Sequence, residues 1–248
     1  MNKIKKECTI PFILITIGLV LIIYSSLNII NYYSSTRENN KINKQLKTSI
    51  VIKKTDNNEN KYQIDFNILK KLNSDVVGYL KVNNINIDYI VVKHSDNNYY
   101  LNHNYEKKEN KAGWIFVDYR NKIDETDKNI IIYGHNTRNN SMFGSLKNTL
   151  NKSWYKNNKN HVILFVTENN TYYYKVFSTY KVKPENYYIK TDFKSDLEFD
   201  EFIKTIKSRS VYNYKDDVTS KDKILTLSSC IGDGTNRVVL HAKLIKKI

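Results

Sequence analysis

No charged residue occurs from Cys8 to Thr36, and that stretch limits what the first part of the chain can become. Within it, Ile10 to Ile30 reads IPFILITIGLVLIIYSSLNII, about the twenty residues a helix needs to cross a bilayer. A run of this kind near an N-terminus predicts either an uncleaved anchor or a cleaved signal peptide. Its length, and the lack of a clear small-x-small site at its end, favour the anchor. Lys3, Lys5 and Lys6 precede it and predict a cytoplasmic N-terminus, although Arg37, Lys41 and Lys44 follow it and make the asymmetry slight. The expected layout is a cytoplasmic tail over 1–9, a single-pass anchor over 10–30, a stalk or linker over 31–60 and one external domain over 61–248.

The anchor gives the cysteines a meaning. Cys8 falls at the inner edge of the helix and Cys230 deep in the external part. A bilayer between them forbids pairing, so the external domain has one thiol and no internal disulfide. A free thiol outside the cell is open to oxidation. Its retention calls for burial in a core or use as a nucleophile.

Charge narrows the partners. Lys and Arg number 40 against 25 Asp and Glu, a formal net charge of +15. That balance suits an anionic neighbour such as a membrane surface or a wall polymer. The lysines are scattered among Asn, Asp and Tyr, and no zinc finger, basic zipper or RNA-binding sheet motif occurs, so nucleic acid is not expected. No cluster of acids suits a metal, and no cofactor is expected.

Residues 37–60 are polar and without sustained periodicity, which predicts a stalk or a frayed helix. A helix is predicted over 62–73, with Ile64, Ile68, Leu69 and Leu72 on one face. Eight strand-like runs follow: 77–82, 85–92, 113–118, 129–134, 161–168, 171–182, 224–229 and 237–246. They are rich in Val, Ile, Tyr and Phe and bounded by Asn, Asp and Gly. A longer helix fits 195–208, where Ser195 can cap and Glu198 stands three residues on. Eight strands with few helices predict a mainly β, closed or nearly closed barrel.

The last two strands carry the chemistry. Alternation sends Leu225 and Leu227 to a core face and Thr226, Ser228 and Cys230 to the other. In the final strand Val238, Leu240, Ala242 and Leu244 share the core face, while Arg237, Val239, His241 and Lys243 face away. If these strands are antiparallel neighbours, Cys230 ends one and Arg237 starts the next, at one rim. A cation beside a thiol favours the thiolate, and an arginine can hold an oxyanion without acting as a base. The spacing is equally compatible with a packed Cys beside a surface Arg. Of the five histidines, His94 and His103 lie in Asn-rich loops and are expected to be solvated. His161 opens a strand, and His241 lies further along the face of Arg237. His135 ends the apolar run NIIIYG, as Cys230 ends its own strand, although a strand-end His is also a common structural residue.

These segments resemble a known family. TLSSC with Arg237 is similar to the TLxTC…R signature of sortases, with Ser229 where most members have Thr. IYGHN followed by SMF resembles the segment that holds the sortase histidine. FNILKKLNSDVVGYLKV, INIDYIVVKHSDNNYYLNHN, GWIFVDYRN and the 195–208 helix resemble the class B branch. The resemblance covers roughly 62–248. It implies an eight-stranded sortase-type barrel with an N-terminal helix and a long helix between the late strands. It implies a cysteine transpeptidase acting on exported proteins with a C-terminal sorting signal. Cys230 would be the nucleophile, His135 the proton carrier and Arg237 the carbonyl or backbone holder. Ser228, Asn97, Leu101, Tyr188 and Ile189 would contact substrate. The acceptor would be an amine of a lipid-linked peptidoglycan precursor. A pilin-polymerising sortase, a plain cysteine endopeptidase and a non-enzymatic adaptor are the alternatives the sequence leaves open.

Overall fold

A computed structural model of the chain describes residues 2–54, 60–124, 126–230 and 236–248. The first helix, α1 (Asn2–Leu46), is continuous through Pro11 and runs well past the apolar segment. It is long and apolar enough to cross a membrane. Beyond residue 30 it does not stand off as a stalk. Thr36, Asn39, Ile42, Asn43 and Leu46 are buried against the barrel, at spacings of three and four that place them on one helix face. The Asn39 amide donates to the Gly113 carbonyl at 2.7 Å and the Asn43 amide to the Asp88 carbonyl at 3.1 Å. A two-stranded antiparallel sheet of β1 (Ile50–Lys54) and β2 (Asn60–Ile64) follows. The polar run therefore yields a docked helix and a hairpin. The predicted helix over 62–73 shortens to α2 (Phe66–Leu72), because Asp65 caps it by accepting from the Ile68 amide.

All eight predicted strands are present: β3 (Val76–Val82), β4 (Ile87–Val92), β5 (Phe116–Val117), β6 (Asn129–His135), β7 (Val162–Val166), β8 (Thr171–Val182), β9 (Ile224–Cys230) and β10 (Arg237–Lys247). They close into a barrel in the order β10-β8-β7-β3-β4-β5-β6-β9. A short helix α3 (Lys152–Lys156) precedes β7. The long helix α4 (Asp196–Ser208) separates β8 from β9, and Ser195 caps it as expected by accepting from the Glu198 amide at 3.2 Å.

Alternation on β9 and β10 is as the sequence predicts. Leu225, Leu227, Val238, Leu240 and Ala242 join the barrel core. The opposite face is not open to water, however. Val239 packs in a second cluster with Phe199, Phe202, Ile203 and Ile206 of α4. Thr226, Ser228 and His241 are consequently buried as well.

Two pairings decide where the strand ends meet. Most neighbours are antiparallel, but β6 and β9 run parallel. Their C-terminal ends therefore lie at one rim. β10 is antiparallel to β9, with Val239 opposite Ser228, so β10 begins at that same rim.

Candidate active site

In the β6–β9 ladder His135 is the partner of Cys230. Continuing the β9–β10 register two residues beyond the Val239–Ser228 pair sets Arg237 opposite Cys230. The barrel thus brings His135, Cys230 and Arg237 together through backbone register. The side chain of Cys230 and the Gly-containing loop 231–235 lie outside the described residues.

His135 is held from three directions. Its Nε2 lies 2.7 Å from the Leu101 carbonyl oxygen. A carbonyl only accepts, so Nε2 carries the proton, and in the neutral ring Nδ1 is the free base. Burial lowers the pKa of the ring, partly opposed by the bond to Leu101, so the neutral imidazole is favoured at pH 7. Gly113 forms the second contact. It has φ +56°, and a Cβ there would stand 2.4 Å from the Tyr100 carbonyl oxygen and 2.8 Å from His135 Cδ2. Only glycine gives the ring this room. Phe143 closes the third side: its ring would lie 2.8 Å from a Cβ on Gly134, and its amide donates to the His135 carbonyl at 2.9 Å.

The segment that offers Leu101 is stiffened by stacking. The Tyr99 ring lies between His94 at 4.3 Å and His103 at 4.0 Å. His94 also bonds to Asp96 at 2.9 Å. These two histidines are therefore half-buried stacking partners, in contrast to the solvated positions expected from their Asn-rich surroundings. His241 is fully buried between the Thr226 hydroxyl and the Tyr180 hydroxyl, each at 2.9 Å, and burial pushes its pKa down to about 3.

Arg237 is braced from below. Its Nη1 donates to the Tyr188 hydroxyl at 3.0 Å, and that hydroxyl lies 3.1 Å from Ser228 Oγ. Tyr188 and Ser228 are both buried, and the Tyr188 hydroxyl bridges the guanidinium and the Ser228 hydroxyl. Asn97 and Ile189 are joined through residues that the sequence patterns did not single out. The Asn97 amide donates to Asp118 Oδ2 at 3.1 Å. Arg120 Nη2 donates both to that oxygen, at 2.7 Å, and to the Ile189 carbonyl, at 2.9 Å. The Tyr133 hydroxyl donates to the same carboxylate at 2.8 Å. Burial raises the pKa of Asp118, but the bonds from Arg120 and Tyr133 outweigh it and hold the carboxyl below its ordinary range. The five residues expected around substrate thus form two braces, Ser228–Tyr188–Arg237 and Asn97–Asp118–Arg120–Ile189, with Leu101 on His135. The run GWIFVDYRN contained Asp118 and Arg120, yet neither alternation nor charge marked them apart from other surface pairs.

The family model for the Sortase domain matches residues 80–245. Sortase B of Staphylococcus aureus is 33% identical over 248 residues, covering 98% of this chain and 99% of its own. The crystal structure of sortase B from B. anthracis in complex with AAEK1 superposes with a TM-score of 0.75 at 34% identity, over 86% of this chain and 99% of that one. A sortase B complexed with triglycine superposes with a TM-score of 0.69 at 38% identity, over 73% of this chain and 85% of that one.

Proposed function

The chain belongs to the sortase family, in its class B branch, and is a cysteine transpeptidase; from that premise we propose that it joins exported proteins to a cell-wall amine through an acyl-thioester on Cys230. The observation that carries this reading is the ladder pairing of His135 with Cys230 at the rim where β10 begins with Arg237.

The chemistry follows from the residue types. The Cys230 thiol loses its proton to the free Nδ1 of His135, and the sulfur attacks the carbonyl of the Thr in the sorting signal. Arg237, aimed by Tyr188, supports the charge that develops on the carbonyl oxygen. As the C–N bond breaks, the imidazolium returns its proton to the leaving amine. The incoming amine then gives a proton to His135 and attacks the thioester. A new amide forms and the thiolate leaves. The structure of a sortase B complexed with triglycine supports a glycine amine as acceptor. The anchor α1 supports a lipid-linked peptidoglycan precursor as its carrier, with the N-terminus cytoplasmic and the barrel outside the cell membrane. Asn97, Leu101 and Ile189 flank the path of the signal peptide.

The test is a peptide carrying a sorting signal, incubated with the protein with and without triglycine. The reading requires a new amide product with triglycine and its loss in Cys230→Ala. Hydrolysis that no amine alters would favour the endopeptidase instead.

A further inference from the structure

A cleft of about 640 Å³ lies between α1 and the segment that follows β6, and His135 is on its wall. The α1 side presents Asn28, Tyr32 and Tyr33, and the barrel side presents Lys111, Arg138 and Lys147. The two sides are stitched together. Lys111 Nζ donates to Asn28 Oδ1 at 2.8 Å, and the Arg138 amide donates to the Tyr32 hydroxyl at 3.0 Å. Arg138 and Lys147 are exposed. Among the described residues, none of the three cations forms an ion pair with a carboxylate.

The height of this cleft is set by the anchor. A helix rises about 1.5 Å per residue, so the run from Ile10 to Ile30 fills the hydrocarbon layer. Tyr32 and Tyr33 then emerge among the lipid head groups, where tyrosine rings are favoured, with Asn28 one turn below them. Three cations without ion-pair partners and two tyrosines along this cleft suit a phosphate.

We propose that this cleft binds the phosphate of a lipid head group and holds it beside His135. The occupant that fits the neighbouring chemistry is a lipid-linked diphosphate whose far end carries the acceptor amine. That assignment of the occupant rests on the acyl-transfer reading above, while the site itself rests on the cleft and its charges. The anchor helix then has a second use: it forms half of the acceptor's binding site as well as tethering the enzyme.

The test is binding of a short-chain prenyl diphosphate to the full chain in phosphatidylcholine nanodiscs, in a Cys230→Ala background so that no turnover enters. Replacing Lys111, Arg138 and Lys147 with Gln should weaken binding about 10-fold or more, since each juxtamembrane cation favours an anionic head group. A charge-matched variant with Lys194, Lys204 and Lys221 changed to Gln, on and around α4, should bind as the parent does. Adding phosphatidylglycerol separates the sources. Competition with the probe assigns the site to bilayer phospholipid as well, and its absence assigns it to the diphosphate. Equal affinity in parent and cleft variant, or equal loss in both triple variants, overturns the proposal. A failure of the acyl-transfer reading would look different, namely no thioester in the Cys230 protein while the probe still binds.

Discussion

The position of His135 depends on a residue with no side chain. At Gly113 the backbone has φ +56° and leaves no room for a Cβ against the Tyr100 carbonyl and the His135 ring. Gly113→Ala is expected to cost about 1–3 kcal/mol through backbone strain and to move His135 off the Leu101 carbonyl. Urea unfolding and the peptide assay read the two effects separately, and a folded variant with full activity would exclude the positioning role. Tyr188 supplies a second test. Its hydroxyl aims Arg237, and a hydrogen bond to a charged group contributes about 1.5–3 kcal/mol. Tyr188→Phe should therefore lower kcat/KM by roughly 10-fold or more, while urea unfolding shows a loss of about 1.5–3 kcal/mol that leaves the protein folded. Asp118 has no exposed side-chain surface, and Arg120 is its cationic partner. Arg120→Ala is expected to cost about 2–3 kcal/mol, below the figure for a fully buried pair because the guanidinium is partly solvated.

Elements differed in how openly the sequence announced them. Strands with apolar residues on at least one face, such as NIIIYGH and ILTLSSC, were plain from composition and alternation. The docked half of α1 was not, because its buried face is built from Thr36, Asn39 and Asn43 as well as Ile42 and Leu46. A polar docking face shows no hydrophobic period, so the segment looked like a stalk. The parallel register of β6 with β9 was equally hidden, since alternation assigns faces but not neighbours. His135 and Cys230 were each legible as strand-end residues; their pairing needed the sheet order. Gly113, Asp118 and Arg120 act through contacts between distant segments, which no local pattern encodes. The α1 docking has its own consequence. Asn39 donates to the Gly113 carbonyl, so the helix supports the glycine that supports His135. Asn39→Leu should destabilise by about 1–3 kcal/mol, because it leaves that carbonyl buried and unpaired. Hydrogen exchange should show faster opening of residues 36–46, and protection equal to the parent would contradict the coupling.

Across the whole molecule, buried histidines shape the response to acid. His241, with a folded pKa of about 3, is neutral in the folded state, and burial also lowers the pKa of His135 and His161. The unfolded chain takes up their protons near pH 6.5, so between that pH and the folded values it binds more protons than the native state. Stability therefore falls as the pH drops below 6.5 and is complete above it. At pH 5, His241 alone should account for about 2 kcal/mol of the loss. His241→Gln should flatten the pH dependence of the urea midpoint over this window, and an unchanged slope would contradict the assignment. In the proposed reaction the rim at which β6, β9 and β10 meet serves one thiol, that of Cys230. The most direct measurement is therefore intact mass spectrometry of the full chain with a sorting-signal peptide. The account predicts an acyl adduct confined to Cys230, discharged by triglycine and absent from Cys230→Ala. Product formation without such an adduct, or an adduct that triglycine does not discharge, would contradict it.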